Sequence, residues 1–197
     1  KYITMVDKYE VKKYVSNLIG EEYIIPTLGV WDTFDDIDFT LLPNQFVLKC
    51  THDSGGLVIC KDKSKLDLKV AKDKINKCLN TNFYYHGREW PYKNVRPRII
   101  AEKYMEDDSG EELKDYKFFC FEGIPKVMFI ASERGDENSE TKFDFYDMNF
   151  NHLPFTNGHP NSNRNICRPL GFNEMKDLAA TLSKNIPQIR VDFYDIN

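Results

Sequence analysis

Phe46-Val47-Leu48-Lys49-Cys50-Thr51-His52-Asp53-Ser54-Gly55-Gly56 is the stretch that decides how this chain is read. Phe46 to Leu48 is a short apolar run of strand-forming residues that brings Lys49 to its end. A polar loop closing on two glycines follows, and Leu57-Val58-Ile59-Cys60 then resumes a strand pattern. Two apolar runs joined by a glycine-bearing loop predict a β-hairpin. A connection that had only to turn would be served by Asn-Gly. This one is longer, sets few large side chains over its backbone N–H groups, and has a lysine beside it. Those are the parts of a polyphosphate cradle, and an ordinary solvated turn is the competing reading.

Upstream, Asp7 is placed to cap a helix over Lys8–Ile19, with Val11, Tyr14, Val15, Leu18 and Ile19 on one apolar face and Gly20 as its stop. Lys8 falls in the first turn, where a cation opposes the helix dipole; an anionic ligand would account for it, as would a tolerated surface lysine. Glu22–Pro26 reads as a short strand, continued by Leu28–Trp31. Asp32–Asp38 is acidic, and Asp36-Ile37-Asp38 has the Asp-x-Asp form that many nucleotide-sugar glycosyltransferases use for a metal. No apolar strand leads into it, which favours a solvated turn.

Downstream, Leu66–Phe83 predicts a long helix with Leu68, Ala71, Ile75, Cys78 and Leu79 on one stripe and lysines opposite. Asn80–Pro97 is an aromatic-rich connection. Arg98–Glu102, Asp115–Phe121, Val127–Ala131 and Phe143–Tyr146 read as strands, the second with Asp115 and Lys117 on one face. Asn149–Arg168 is too long for a routine connection and is expected to be functional or mobile. A helix over Asn173–Lys184 and a last strand from Ile189 follow, with Arg190, Asp192 and Tyr194 on one face. Helices alternating loosely with antiparallel hairpins make an α+β pattern, not regular βαβ.

Composition narrows the function classes. The chain has 197 residues, 41% hydrophobic and 29% charged, as in an ordinary globular protein. A net charge of −4 argues against a general nucleic-acid binder. No run approaches the roughly 18 apolar residues of a membrane span, and the start lacks signal-peptide form. Cys50, Cys60, Cys78, Cys120 and Cys167 are odd in number and show no Cys-x-x-Cys spacing, and no Asn-x-Ser/Thr sequon occurs, so a reducing cytoplasm is expected. His52, His86, His152 and His159 show no metal-ligand spacing. Both ends read as cut.

A lysine-tipped strand before a glycine loop, a Glu-Lys-Tyr strand end at Glu102, an Asp-Tyr-Lys strand at Asp115 and a late Arg-Val-Asp strand at Arg190 occur in that order. The sequence resembles the ATP-grasp superfamily, and more narrowly the TupA-like branch associated with teichuronopeptide and other surface-polysaccharide clusters. The branch resemblance rests on Asp7-Lys8-Tyr9, Gly20–Gly29, Leu42–Cys50 and Val191–Tyr194. It implies an α+β ATP-grasp fold, lacking its last strands, in which two subdomains (about 1–101 and 102–197) hold ATP. It implies further that Lys8 and Lys49 reach the phosphates under a lid of Ser54, Gly55 and Gly56. Glu102, Lys103 and Met105 would form the adenine-reading hinge, with Asp115 near the ribose. Lys117, Arg134 and Arg190 would face the phosphates, acylphosphate or acceptor, and Asp192 would bind Mg²⁺, its partner carboxylate lying on a strand after Asn197.

The implied activity is an ATP- and Mg²⁺-dependent carboxylate–amine (or thiol) ligase working through an acylphosphate. Its substrates would be small-molecule or polysaccharide-precursor carboxylates and amines, with acceptor specificity expected in Asn149–Arg168 or beyond the C-terminus. Lys117 and Arg190 could instead simply pair with Asp115 and Asp192 on neighbouring strands. Two rival functions stand beside the ligase: a glycosyltransferase acting through Asp36 and Asp38, and a non-catalytic nucleotide-binding module.

Overall fold

The computed structural model describes residues 1–106, 113–133 and 140–196, and its contacts divide the chain into two units, Lys1–Tyr104 and Met105–Asn197. In the first unit, helix α1 (Tyr2–Val6) is followed by α2 (Glu10–Ile19). Asp7 caps α2: its Oδ1 accepts from the amides of Tyr9 at 2.9 Å and Glu10 at 3.2 Å. Gly20 ends the helix at φ 108°, a conformation that side chains resist, and its amide donates to Ser16 O at 2.9 Å.

The strand expected over Glu22–Pro26 does not form. A 3₁₀ turn, Glu21–Tyr23, stands there, and the chain becomes strand only at β1 (Thr27–Trp31). Pro26 has no N–H to give to a ladder. Its carbonyl instead accepts the amide of Lys103 at 3.0 Å.

The central hairpin is present as β2 (Phe46–Cys50) and β3 (Leu57–Cys60), antiparallel with Lys49 opposite Leu57. Helix α3 (Leu68–Leu79) follows, capped by Asp67, whose Oδ1 accepts from Lys69 at 2.9 Å and Val70 at 3.0 Å. A short helix, α4 (Tyr84–Gly87), leads to β4 (Ile99–Lys103). The sheet order is β1-β4-β2-β3, antiparallel throughout. One sheet face carries Phe46, Leu48, Cys50, Ile99 and Ala101 and is covered by Ala71 and Ile75 of α3, all fully buried. The pleat sends Val47 and Lys49 to the other face.

The second unit is a five-stranded antiparallel sheet. Its strands are β5 (Asp115–Phe121), β6 (Ile124–Ser132), β7 (Lys142–Asp147), β8 (His152–Leu153) and, after helix α5 (Phe172–Ser183), β9 (Ile189–Phe193). The order is β8-β7-β6-β5-β9. Phe118, Met128, Ile130 and Val191 face α5, which buries Phe172, Met175, Ala179 and Leu182 against them. Phe129, Ala131 and Phe145 lie on the opposite face in a second cluster that Phe119, Phe143 and Leu153 flank.

Candidate functional site

In the first unit three lysines and one glutamate meet on the sheet face turned away from α3. Glu102 is opposite Val47 in the β2–β4 register, so its side chain shares the face of Lys49. Lys49 Nζ donates to Glu102 Oε2 at 2.6 Å, and Lys12 of α2 sits 2.5 Å from Oε1. Lys12 also donates to Ile25 O at 2.6 Å. Burial alone would raise the Glu102 pKa, but the charges of Lys49 and Lys12 outweigh it and hold the carboxyl below its usual value.

Lys8 lies just ahead of α2, not in its first turn. Its ammonium donates to Cys50 O at 3.0 Å and to Asp53 O, and stands 3.6 Å from Asp53 Oδ1. Burial pushes the Lys8 pKa down; Asp53 pulls it up, and the charge of Lys49 lowers it again. Two cations are therefore assembled close enough to repel, with the hairpin loop between their strand and their helix. Thr51, His52 and Asp53 are buried while Ser54 and Gly55 are exposed, so only the loop's tip is a solvated turn. Gly56 gives its amide to Asp53 Oδ2 at 2.9 Å and its carbonyl accepts from Cys50 N at 3.0 Å. Its N–H is thus committed to the loop itself, contrary to an open cradle at that position.

Glu102 and Lys103 belong to β4 in the first unit. Glu102 is turned to its two lysines, Lys103 is exposed, and Met105 is the half-buried first residue of the second unit. The acidic stretch resolves into local ties. Thr33 Oγ1 donates to Asp36 Oδ2 at 2.8 Å, Thr40 donates to Asp38 Oδ1 at 2.9 and 2.6 Å, and Asp35 pairs with Lys72. Among the described residues these aspartates form no metal-ligand cluster.

In the second unit Lys117 stands opposite Asp192 across β5 and β9. Its Nζ is 2.7 Å from Asp192 Oδ2 and 3.0 Å from Asp115 Oδ2. Arg190 grips Asp192 with two parallel bonds, Nε to Oδ1 at 2.7 Å and Nη2 to Oδ2 at 2.9 Å. Burial would raise the Asp192 pKa; the hydrogen bonds from Arg190 and the charge of Lys117 overcome it and keep the group ionised. Arg134 lies outside the described residues.

The 149–168 segment helps to line a cavity of about 380 Å³ with Asp144, Tyr146, Phe150, His152, Ser162 and Arg164 among its walls. Asp144 and Tyr146 pair with Ile130 and Met128, on the face of α5, and so across the sheet from Lys117 and Asp192. Burial, then the charge of Asp144, pushes the Tyr146 phenol up to about 12. The sheet therefore does not bring this cavity to the Lys117–Asp192 group.

The TupA-like ATP-grasp family matches the chain over residues 1–197. This chain belongs to the TupA-like ATP-grasp family. No curated protein matches it. Among solved structures, the D-alanine–D-alanine ligase from Bacillus anthracis, complexed with ATP, is similar at 17% identity and a TM-score of 0.48, over 96% of this chain and 50% of that one. The chain thus spans half the length of that ligase.

In this TupA-like ATP-grasp protein the structure joins Lys8, Lys49, Glu102 and the Gly55-Gly56 loop in one unit. It joins Asp115, Lys117, Arg190 and Asp192 in the other. Sequence reasoning missed Lys12 and Asp53. Lys12 carried a signal, since Lys8 and Lys12 are four apart and a helix sets such a pair on one side. Asp53 carried none beyond its place before a glycine pair.

Proposed function

We propose that this protein is an ATP- and Mg²⁺-dependent ligase that joins a carboxylate to an amine or thiol through an acylphosphate, in the decoration of a surface polysaccharide. The observation that carries the reading is the Lys8–Lys49 pair beside the hairpin loop. Two ammoniums held near each other, one partly desolvated, gain most from a ligand that brings several negative charges, as a triphosphate does. In the reaction a substrate carboxylate oxygen attacks the γ-phosphorus of ATP and ADP leaves. The amine or thiol then attacks the acylphosphate carbon, losing its proton, and phosphate departs. Repulsion between the carboxylate and the phosphates is the main obstacle, and lysines and arginine oppose it.

In this reading Lys8 and Lys49 hold the phosphates under Ser54, Gly55 and Gly56. The strand end at Glu102, Lys103 and Met105 reads adenine, with Glu102 also keeping Lys49 in place. Asp115 lies toward the ribose, and Lys117, Arg134 and Arg190 attend the transferred group. Asp192 offers hard carboxylate oxygens and stays ionised, which suits Mg²⁺. When bound, Mg²⁺ would neutralise charge on the β- and γ-phosphates. Lys117 and Arg190 already occupy both Asp192 oxygens, so they hold the carboxylate in position and share it with any ion.

The test is thermal. ATP with Mg²⁺ at about a hundredfold over its Kd should stabilise the protein by about 2.7 kcal/mol, UDP-sugars should give no shift, and Lys49→Ala should lose the ATP shift while still melting cooperatively. ADP release dependent on an added carboxylate then separates a ligase from a non-catalytic module. A shift with UDP-sugars that Asp36→Asn and Asp38→Asn abolish would replace the ligase with the glycosyltransferase.

A further inference from the structure

Behind the hairpin loop, on the α3 side of the first sheet, lies a group of side chains that nucleotide binding does not use. Cys50 ends β2, Cys78 lies in the last turn of α3, and Asp53 is in the loop. One ligand atom from each, the two sulfurs and a carboxylate oxygen, all lie within 4.8 Å of one another. Tetrahedral zinc with its usual bond lengths sets such atoms roughly 3.5–3.8 Å apart, so the three side chains would draw together by up to about 1 Å to close the set.

Asp53 supplies an independent observation. It is 8% exposed, and its Oδ1 accepts no hydrogen bond among the described residues. A buried carboxylate oxygen without a close donor is costly to leave so; the Lys8 ammonium pairs with it from 3.6 Å, and without a metal the Cys78 thiol serves the Asp53 carboxylate as a weak donor. Gly56 bears on the same place. A Cβ there would meet Asp53 Oδ2 at 2.6 Å and Cys78 Sγ at 2.7 Å, so the glycine lets the two groups share one space.

We propose that Cys50, Asp53 and Cys78 form a binding site for a thiophilic divalent cation, zinc in the first instance, with the fourth position taken by water. Binding breaks two S–H bonds and forms two metal–sulfur bonds, and both protons go to solvent. Charge closes: two thiolates and one carboxylate carry three negative charges, against two on the ion and one on Lys8. Mixed sulfur and oxygen ligation excludes Mg²⁺ as the occupant, since Mg²⁺ takes oxygen alone. The ion would tie the root of the glycine loop to α3. This site shares Lys8 with the nucleotide reading, but its three ligands play no part in that reading and its test needs no ATP.

The full chain carrying Cys167→Ser, which removes the exposed thiol, is kept reduced and titrated with Co²⁺ as the spectroscopic probe. One equivalent should produce thiolate-to-cobalt charge-transfer absorption, release protons and be displaced by Zn²⁺. Cys78→Ser and Asp53→Asn should each weaken Co²⁺ binding about tenfold or more. X-ray absorption of the zinc-loaded parent should count two sulfur neighbours, and this readout holds even where a variant fails to fold. Absence of the charge-transfer band, a band unchanged in Cys78→Ser, or a shell without sulfur overturns the proposal.

Discussion

At the scale of the residue, Glu102 is the pivot of the first unit. Each carboxylate oxygen serves one ammonium, and the group is buried, so removing its charge strands two lysines. Glu102→Gln is expected to cost about 1–3 kcal/mol, measured by denaturant unfolding at neutral pH. The pH dependence has a definite sign. The folded pKa lies below the ordinary 4.5, so the contribution of Glu102 is fully present above that value. It is lost as pH falls through the folded pKa. The acid limb of the stability curve should therefore flatten in Glu102→Gln; an unchanged limb would show that Glu102 is not the group being titrated. Lys8 works oppositely. Its folded pKa lies below 10.5, so its charge costs stability at neutral pH, and the cost fades as pH rises from the folded value toward 10.5.

At the scale of the element, the loop between β2 and β3 depends on Gly56 for space. Gly56→Ala puts a methyl group within 2.7 Å of both Asp53 and Cys78. Overpacking of this kind costs about 1–3 kcal/mol. Thermal melts should show the loss, together with a weaker ATP shift; a melt equal to that of the parent would mean that the loop is loosely held. Much of this level was legible in the sequence. Strand formers around a polar glycine loop gave the hairpin, and period-3.6 stripes gave α2 and α3, although the helix expected over Leu66–Phe83 starts after the Asp67 cap and ends at Leu79. Glu22–Pro26 misled because its apolar residues suit a strand, while the turn released by Gly20 and the missing N–H of Pro26 decide otherwise. The partnership of Lys12 with Glu102 was not legible, because residues 90 positions apart meet only when α2 lies along the sheet. The same holds for Cys50 and Cys78, which look like scattered thiols until α3 is placed on β2. The strand period alone put Asp115 with Lys117, and Arg190 with Asp192, but only the register of β5 on β9 brings the two pairs to one face.

At the scale of the whole molecule, each unit completes its own hydrogen-bonded sheet and its own buried cluster. All four strands of the first sheet, and α3, which covers it, come from residues 1–104. A fragment of residues 1–104 should therefore unfold in one cooperative transition, with slow hydrogen exchange concentrated in β2 and β4. A non-cooperative melt would show that the first sheet needs the remainder of the chain. The family assignment covers both units, whereas the Lys8–Lys49 pair and the Lys117–Asp192 pair are each built within one of them.

The bonds of Lys8 carry a mechanical consequence. One ammonium presently latches the front of α2 to the carbonyls of Cys50 and Asp53 at the root of the flap. Two of its three N–H donors serve those carbonyls, so on the proposed reading the third is the one left to meet a polyanion, and the latch can hold while the guest is bound. On that reading α2 and the loop root stay tied through Asp53, and any movement on binding is confined to the exposed tip at Ser54 and Gly55.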